Sequence, residues 1–279
     1  MMFRTRFAPS PTGPLHLGHA YSACLAHDMA KKADGAFFLR IDDLDGSRSR
    51  PEWEYLIKTD LKWLGLTWQP EVWRQTDRLP RYREALQTLW DQGLLYPCTC
   101  SRADIRAAAS APQEGAPISG PDGIIYPGTC RPDTPCEGPM PDLPLRIDMA
   151  RALSRVEDLT YTETGENPGD ISIGHLDQTA GDVALARPGM GASYHLSIVC
   201  DDADQGITHV IRGADLSAAT GIHVLLQRLL GFPTPIYHHH RLIRDDAGKR
   251  LAKRDDARAI STYRDAGLTP SDIRNMVDL

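Results

Sequence analysis

The sequence predicts an α/β protein built on a parallel sheet, and three features carry that prediction. An alternating segment, residues 3–8, runs through the turn PSPTGP into an apolar-periodic stretch at 17–32, and FFLRI at 37–41 follows as a second strand. A strand, loop, helix, strand opening of this kind starts a parallel sheet, with nucleotide bound at the carboxyl ends of the strands. Late in the chain THVIRGADL reads as a strand ending in a turn, and residues 216–230 as an amphipathic helix ended by Gly231. In between, 14 of the 35 residues from 110 to 144 are Pro or Gly, which marks loop and not packed core.

The remaining elements follow from spacing and punctuation. Pro51 lies just inside a helix whose apolar positions Trp53, Leu56, Ile57, Leu61 and Leu64 recur every three or four residues, and Gly65 closes it. Residues 79–92 form another, stopped by Gly93. LPLRIDM, RVEDLTY, DISIGHL and DVALAR read as short strands. Residues 194–201 fit helix or strand equally, and the tail after Ser261 supplies one or two short helices. No internal repeat is visible.

The 279 residues carry 31 Lys+Arg against 37 Asp+Glu, a net charge of −6, and 41% hydrophobic residues, which is ordinary globular composition. The length suits one large domain with an insertion, or two domains. A uniformly basic nucleic-acid binder is excluded, so any RNA contact must come from local patches. No stretch approaches the roughly 18 apolar residues of a membrane span, and the first fifteen residues lack a signal-peptide apolar run. A cytoplasmic protein without a membrane partner is expected. There the six cysteines are thiols or metal ligands. Cys24 and Cys200, alone in apolar surroundings, read as buried packing residues.

Chemistry concentrates first in RFAPSPTGPLHLGHA, residues 6–20. Gly13 and Gly18 let backbone approach a ligand closely, Pro9, Pro11 and Pro14 stiffen the turn, and His16 and His19 stand where the helix begins. Unpaired N–H groups and a partial positive charge make a helix N-terminus a natural phosphate site. A second concentration is Cys98-Thr-Cys100, with Tyr126, Cys130 and Cys136 beyond it. Two cysteines one residue apart, with a third reached through a Pro/Gly loop, can close a tetrahedral zinc site. His238, His239 and His240 are adjacent, so they cannot all face one ion on a regular strand. They line the ATP or RNA side, or are exposed.

PLHLGH resembles the H-x-G-H signature of class I aminoacyl-tRNA synthetases, and RFAPSPTGPLHLGH resembles in particular the opening of the glutamyl-tRNA synthetases. RLAKR, residues 250–254, is similar to the K-M-S-K-S loop of that class. The resemblance, which covers about residues 3–258, implies a Rossmann-like class I synthetase catalytic domain with an inserted zinc-bearing acceptor-type subdomain and a short helical tail. The catalytic halves would occupy 1–95 and 191–240, the insertion 96–190, and the K-M-S-K-S-like loop and tail 241–279. It also implies adenylation of L-glutamate with ATP and Mg²⁺. His16, His19 and Lys253 would be catalytic, with Pro9, Gly13, Gly18 and Arg250 completing the ATP site. Transition-state charge on the α-phosphoryl group and pyrophosphate suits such donors and cations.

By the same resemblance the glutamate site is Arg6, Ser10, Asp42, Tyr194 and Arg212, which suits a ligand with two carboxylates and an ammonium. The family has Glu where RIDDLD has Asp42, one methylene shorter. The cysteine segment resembles the glutamyl-queuosine branch of the family, which implies one structural zinc on Cys98, Cys100, Tyr126 and Cys130, with Cys136 the alternative fourth ligand. Only 25 residues follow Arg254. The expectation is therefore a monomer with no anticodon-binding domain, acting on tRNA(Asp) that bears queuosine. RNA binding is expected at 241–258, with seven Lys/Arg against four Asp. Arg74, Arg78, Arg81 and Arg83 form a second patch that reads as solvated surface. The alternatives are a related enzyme that activates another amino acid, a small-molecule nucleotidyltransferase sharing the H-x-G-H fold, and a non-catalytic RNA-binding module.

Overall fold

A computed structural model describes residues 2–109, 119–244 and 258–279. β1 (Arg4–Phe7) pairs in parallel with β2 (Ala36–Ile41), and α1 (Leu17–Lys32) makes the crossover. α2 (Pro51–Trp63) leads to β3 (Trp73–Arg74), again parallel to β2, and α3 (Leu79–Asp91) follows. Pro51 at the first position of α2, with Glu52 and Glu54 in its first turn, suits the positive end of the helix. Gly65 and Gly93, at φ of 79° and 71°, terminate α2 and α3 as expected.

The middle of the chain is built of short pieces. β4 (Leu95–Pro97) precedes α4 (Arg102–Ala109), a helix the composition did not announce. β5 (Ser119–Gly120) and β6 (Gly123–Ile124) form a small hairpin inside the Pro/Gly-rich stretch. β7 (Leu145–Ile147), α5 (Met149–Leu153), β8 (Thr160–Glu163), β9 (Gly169–Ser172), α6 (Leu176–Thr179) and β10 (Ala184–Ala186) follow. β7 lies antiparallel between β4 and β10. RVEDLTY is strand only in its second half, because residues 155–158 turn.

The second parallel unit is α7 (Tyr194–Asp204), β11 (His209–Gly213), α8 (Thr220–Leu229) and β12 (Ile236–His240). Residues 194–201 are thus helix, capped by Ser193, whose hydroxyl accepts from Leu196 N–H. The helix expected from 216 begins at Thr220, after a 3₁₀ turn over Ala214–Ala219. β11 and β12 are parallel, and β8 pairs in parallel with β12. Thr208 N–H donates to the Arg4 carbonyl (2.9 Å) and Arg4 N–H to Thr208 Oγ1 (2.9 Å). These bonds set β11 beside β1, so the first and second parallel units meet along the middle of the molecule.

Two buried apolar clusters hold the layers. One joins α3, β7, α7 and α8; the other joins α1, β2 and α2. Cys24 and Cys200 lie in these clusters, and burial pushes their thiols up to about 11 and about 12. The tail forms α9 (Ile260–Asp265) and α10 (Pro270–Met276), and Ile260 and Ile273 are fully buried in the α1/β2 cluster. Arg264 bonds Asp60 (2.6 Å) and Arg274 bonds Asp28 (2.6 Å). Among the described residues no helix is long and apolar enough to cross a membrane. Ile260→Ala should lower the unfolding free energy by about 2–5 kcal/mol in urea melts, as a large-to-small core change. A loss below about 0.5 kcal/mol would show that the tail only lies on the surface.

Candidate active site

A cleft of about 610 Å³ opens where four parallel strands end. Arg6 and Phe7 come from β1, Arg40 from β2, Arg212 from β11 and His240 from β12. Pro9, Ser10, His16, Gly18, His19, Asp42 and Tyr194 also line it, so it unites nearly all the candidate residues within the described chain. Gly13 sits in the same loop but is not on the lining. Arg250 and Lys253 lie outside the described residues.

The imidazole pair is set by backbone. His16 caps α1 and its Nδ1 accepts from Gly18 N–H (3.1 Å), while His19 Nδ1 accepts from His16 N–H (3.2 Å). In the neutral rings both protons are therefore on Nε2, which makes each ring a donor. The rings lie 3.7 Å apart. A Cβ on Gly18 would come within 3.1 Å of the His16 ring, so this glycine makes room for the imidazole as well as for a ligand.

The two candidate arginines have opposite electrostatic settings. Arg6 is buried and gives Nε and Nη2 to the two oxygens of Asp202 (2.8 and 3.0 Å). Arg40, fully buried, bonds the same Asp202 (2.7 Å), Asp42 (3.0 Å) and Gln205 (3.1 Å). Burial works against ionisation of Asp202, and the charges of Arg6 and Arg40 outweigh it, leaving its carboxyl below the usual range. For Asp42 burial prevails over Arg40, with Asp201 adding to it, and the carboxyl is pushed up to about 6. Among the described residues Arg212 touches no carboxylate. Its Nε donates to His239 Nε2 (3.1 Å), Nη1 to His223 Nδ1 (3.1 Å), and Nη2 to Thr220 Oγ1 (2.8 Å) and the Leu216 carbonyl (3.3 Å). Burial and the Arg212 charge hold both imidazoles below their ordinary range.

Arg40, Asp202, Gln205 and His223 are not marked by the sequence, and His239 is marked only as one of three adjacent histidines. The available signal was charge in apolar surroundings: Arg40 in FFLRI and the acids in IVCDDAD. Of the three adjacent histidines, His239 and His240 are buried and His238 bonds Thr164 (3.1 Å), so they are not an exposed tract. Three arginines of the second patch are spent on acids and are not simply solvated: Arg74 on Glu54 (2.6 Å), Arg78 on Asp201 (2.7 Å) and Arg81 on Asp204 (2.9 Å); Arg83 stays exposed, 3.9 Å from Asp142. Of the 241–258 stretch, 245–257 lie outside the described residues, and Arg241 pairs with Asp278 (2.8 Å).

The cysteine group forms a second centre beside β4. The sulfurs of Cys98, Cys100 and Cys130 all lie within 4.8 Å of one another. Cys100 Sγ is 3.4 Å from Cys130 Sγ, and Tyr126 Oη is 3.4 Å from Cys98 Sγ and 3.6 Å from Cys100 Sγ. A tetrahedral zinc ion, with bonds of about 2.3 Å to sulfur and about 2.0 Å to oxygen, separates its ligands by about 3.8 Å (S to S) and about 3.5 Å (S to O). The four atoms therefore fit. Arg146 bonds Cys98 Sγ (3.2 Å) and favours its thiolate, and it covers the Tyr126 ring at 3.9 Å, whereas burial pushes the Tyr126 phenol up. Cys136 is outside the close sulfur set and lines a separate hollow with Trp90 and Pro135.

This is a class I synthetase site: a parallel sheet, a helix N-terminus flanked by imidazoles, and a cationic cleft. Residues 2–122 and 145–279 match the catalytic domain of class I tRNA synthetases (E and Q). A glutamyl-Q tRNA(Asp) synthetase from Rhodobacter capsulatus is 59% identical and covers 99% of both chains, and one from Symbiobacterium thermophilum is 41% identical over 96% of this chain and 83% of its own. A glutamate tRNA ligase from Elizabethkingia meningosepticum, solved in complex with its amino acid, is 26% identical with a TM-score of 0.76 over 99% of this chain. The present chain spans 60% of that structure's length. The chain is a ligase and belongs to the glutamyl-Q tRNA(Asp) synthetase group of the class I (E and Q) family.

Because the folded-state value of Asp42 lies above its unfolded value, its contribution favours folding at low pH and is lost as pH rises through about 6. Relative to Asp42→Asn, the native chain should lose stability in urea melts between about pH 4 and about pH 7. A difference that moves the other way would place a stabilised carboxylate there.

Proposed function

We propose that the chain activates L-glutamate with ATP as glutamyl-adenylate and transfers the glutamyl group to queuosine at the wobble position of tRNA(Asp). The observation that carries this reading is one cleft that joins an imidazole-flanked helix N-terminus to an arginine with no carboxylate partner. In the first step the α-carboxylate oxygen of glutamate attacks the α-phosphorus of ATP and pyrophosphate leaves. His16 and His19 present Nε2–H donors to the phosphates as negative charge gathers there. Lys253 and Arg250 act from the other side. In support, the stretch that holds them begins after Ile243, which lines the cleft, and ends before Ala259, which bridges to His16. In the second step a hydroxyl of the cyclopentenediol of queuosine attacks the adenylate carbonyl, and AMP leaves.

In this reading Arg212 takes the side-chain carboxylate, and Asp42 takes the ammonium with Ser10 and Tyr194 beside it. Arg6, anchored by Asp202, lies along the ligand. Mg²⁺ bound with the triphosphate would neutralise phosphate charge, and Asp45 and Asp215 on the cleft wall would offer it hard oxygen donors. Cys98, Cys100, Tyr126 and Cys130 hold one structural zinc, within an insertion at 96–190 that separates the catalytic halves at 1–95 and 191–240.

The reading is tested by glutamate-dependent ATP–pyrophosphate exchange without RNA, then by charging tRNA(Asp) with and without queuosine. Exchange with glutamate and charging of only the modified tRNA are expected. Exchange with a different amino acid, or charging of unmodified tRNA(Glu), would overturn it. For the metal, the purified protein should carry one zinc, lost in Cys130→Ser and kept in Cys136→Ser. Loss of zinc in the latter would make Cys136 the fourth ligand.

A further inference from the structure

Arg212 is the centre of a hydrogen-bonded chain whose direction is fixed by chemistry. A guanidinium only donates, so His239 Nε2 and His223 Nδ1 must both be acceptors. His239 then carries its proton on Nδ1 and gives it to Glu163, whose other oxygen accepts from the backbone N–H of Thr164, Gly165 and His239 (3.1, 2.7 and 3.0 Å). His223 carries its proton on Nε2 and gives it to His195 Nδ1 (3.0 Å). His195 Nε2 in turn faces Asp122 in the β5–β6 hairpin, 3.7 Å away. Every imidazole in the chain is neutral, with one tautomer available to it.

The contrast with Arg6 gives this chain a purpose. Arg6 and Arg40 meet Asp202 directly, so their charge is cancelled inside the protein. Arg212 is gripped as firmly, through Nε, Nη1 and Nη2, by acceptors that carry no charge. The carboxylates of the network are kept at a distance, Glu163 one imidazole ring away and Asp122 two. A buried cation so held is stabilised in place by an anionic ligand far more than by a neutral one, because an uncompensated charge in a low-dielectric site is costly.

We propose that His223 and His239 are specificity-determining positioning residues, which fix Arg212 without neutralising it and so make the cleft select an amino acid with an anionic side chain over its amide. This deepens the proposed function and rests on it, since Arg212 is there the partner of the glutamate side-chain carboxylate. Neither histidine touches the reacting atoms.

The test is His223→Asp beside His223→Asn. Asn places a neutral oxygen where Nδ1 was; Asp places a charged one there. Exchange kinetics would be measured with saturating ATP, giving KM and kcat for glutamate, together with the calorimetric affinity for glutamate and for glutamine. His223→Asp should raise the glutamate KM at least tenfold, leave the ATP KM within about twofold, and shrink the preference for glutamate over glutamine by a similar factor. His223→Asn should recover most of the affinity and preference. Equal losses in both variants, or a preference unchanged in His223→Asp, would overturn the proposal while the function stands. If the unaltered protein shows no preference for glutamate, the functional reading itself fails and this inference falls with it.

Discussion

The carboxylate of Asp202 is the contact on which the architecture turns. It stands on α7 and receives Arg6 from β1 and Arg40 from β2, residues 196 and 162 positions away in sequence. Its neighbour Asp201 receives Arg78, Tyr82 and Gln75 from the α3 region. One turn of helix therefore fastens the first parallel unit to the second. All of these groups except the half-buried Arg78 are buried, and removing one partner of a buried pair costs on the order of 3–5 kcal/mol because the other charge is left uncompensated. The arrangement contributes less to net stability than to uniqueness of docking: a shifted α7 would strand two guanidinium groups in the core.

That constraint shapes the chemistry of the cleft. The floor is internally balanced by Arg6, Arg40 and Arg78 against Asp42, Asp201 and Asp202, and burial, with the Asp201 charge adding to it, still pushes the Asp42 carboxyl upward against Arg40. The wall formed by β11 and β12 is different, since neutral imidazoles surround Arg212. A cationic wall over a neutral floor is a directional field. In the proposed function this field orients a ligand with two anionic ends between Arg212 and the N-terminus of α1, where the imidazole donors stand.

The local parts of this design were readable from the chain. Helix α1 and its histidine loop are specified by neighbours: Pro and Gly fix the turn, His16 caps, and Gly18 clears space for the ring. Helices α2 and α3 end at glycines with positive φ. Cys98, Cys100 and Cys130 stood out because thiols are rare and cluster. The unreadable parts depend on partners remote in sequence. Arg40 looked like one cation in an apolar strand, and nothing nearby indicates that Asp42, Asp202 and Gln205 surround it. Residues 194–201 were ambiguous because the helix is buried nearly all round, which removes the periodicity that separates helix from strand.

The second basic patch shows why composition alone misleads about RNA. Arg74, Arg78 and Arg81 are close in sequence, yet the fold sets Glu54, Asp201 and Asp204 against them. Arg78 also lies over the Trp73 ring at 4.2 Å. Arg78 and Arg81 brace the α3 region against α7 and Arg74 ties β3 to α2, so their fields are cancelled within a few ångströms. A charge count describes the unfolded inventory, whereas a phosphate responds to what remains after internal pairing. Among the described residues that line the cleft, Arg212 has no carboxylate partner, so a net charge of −6 does not preclude local attraction for an anion there.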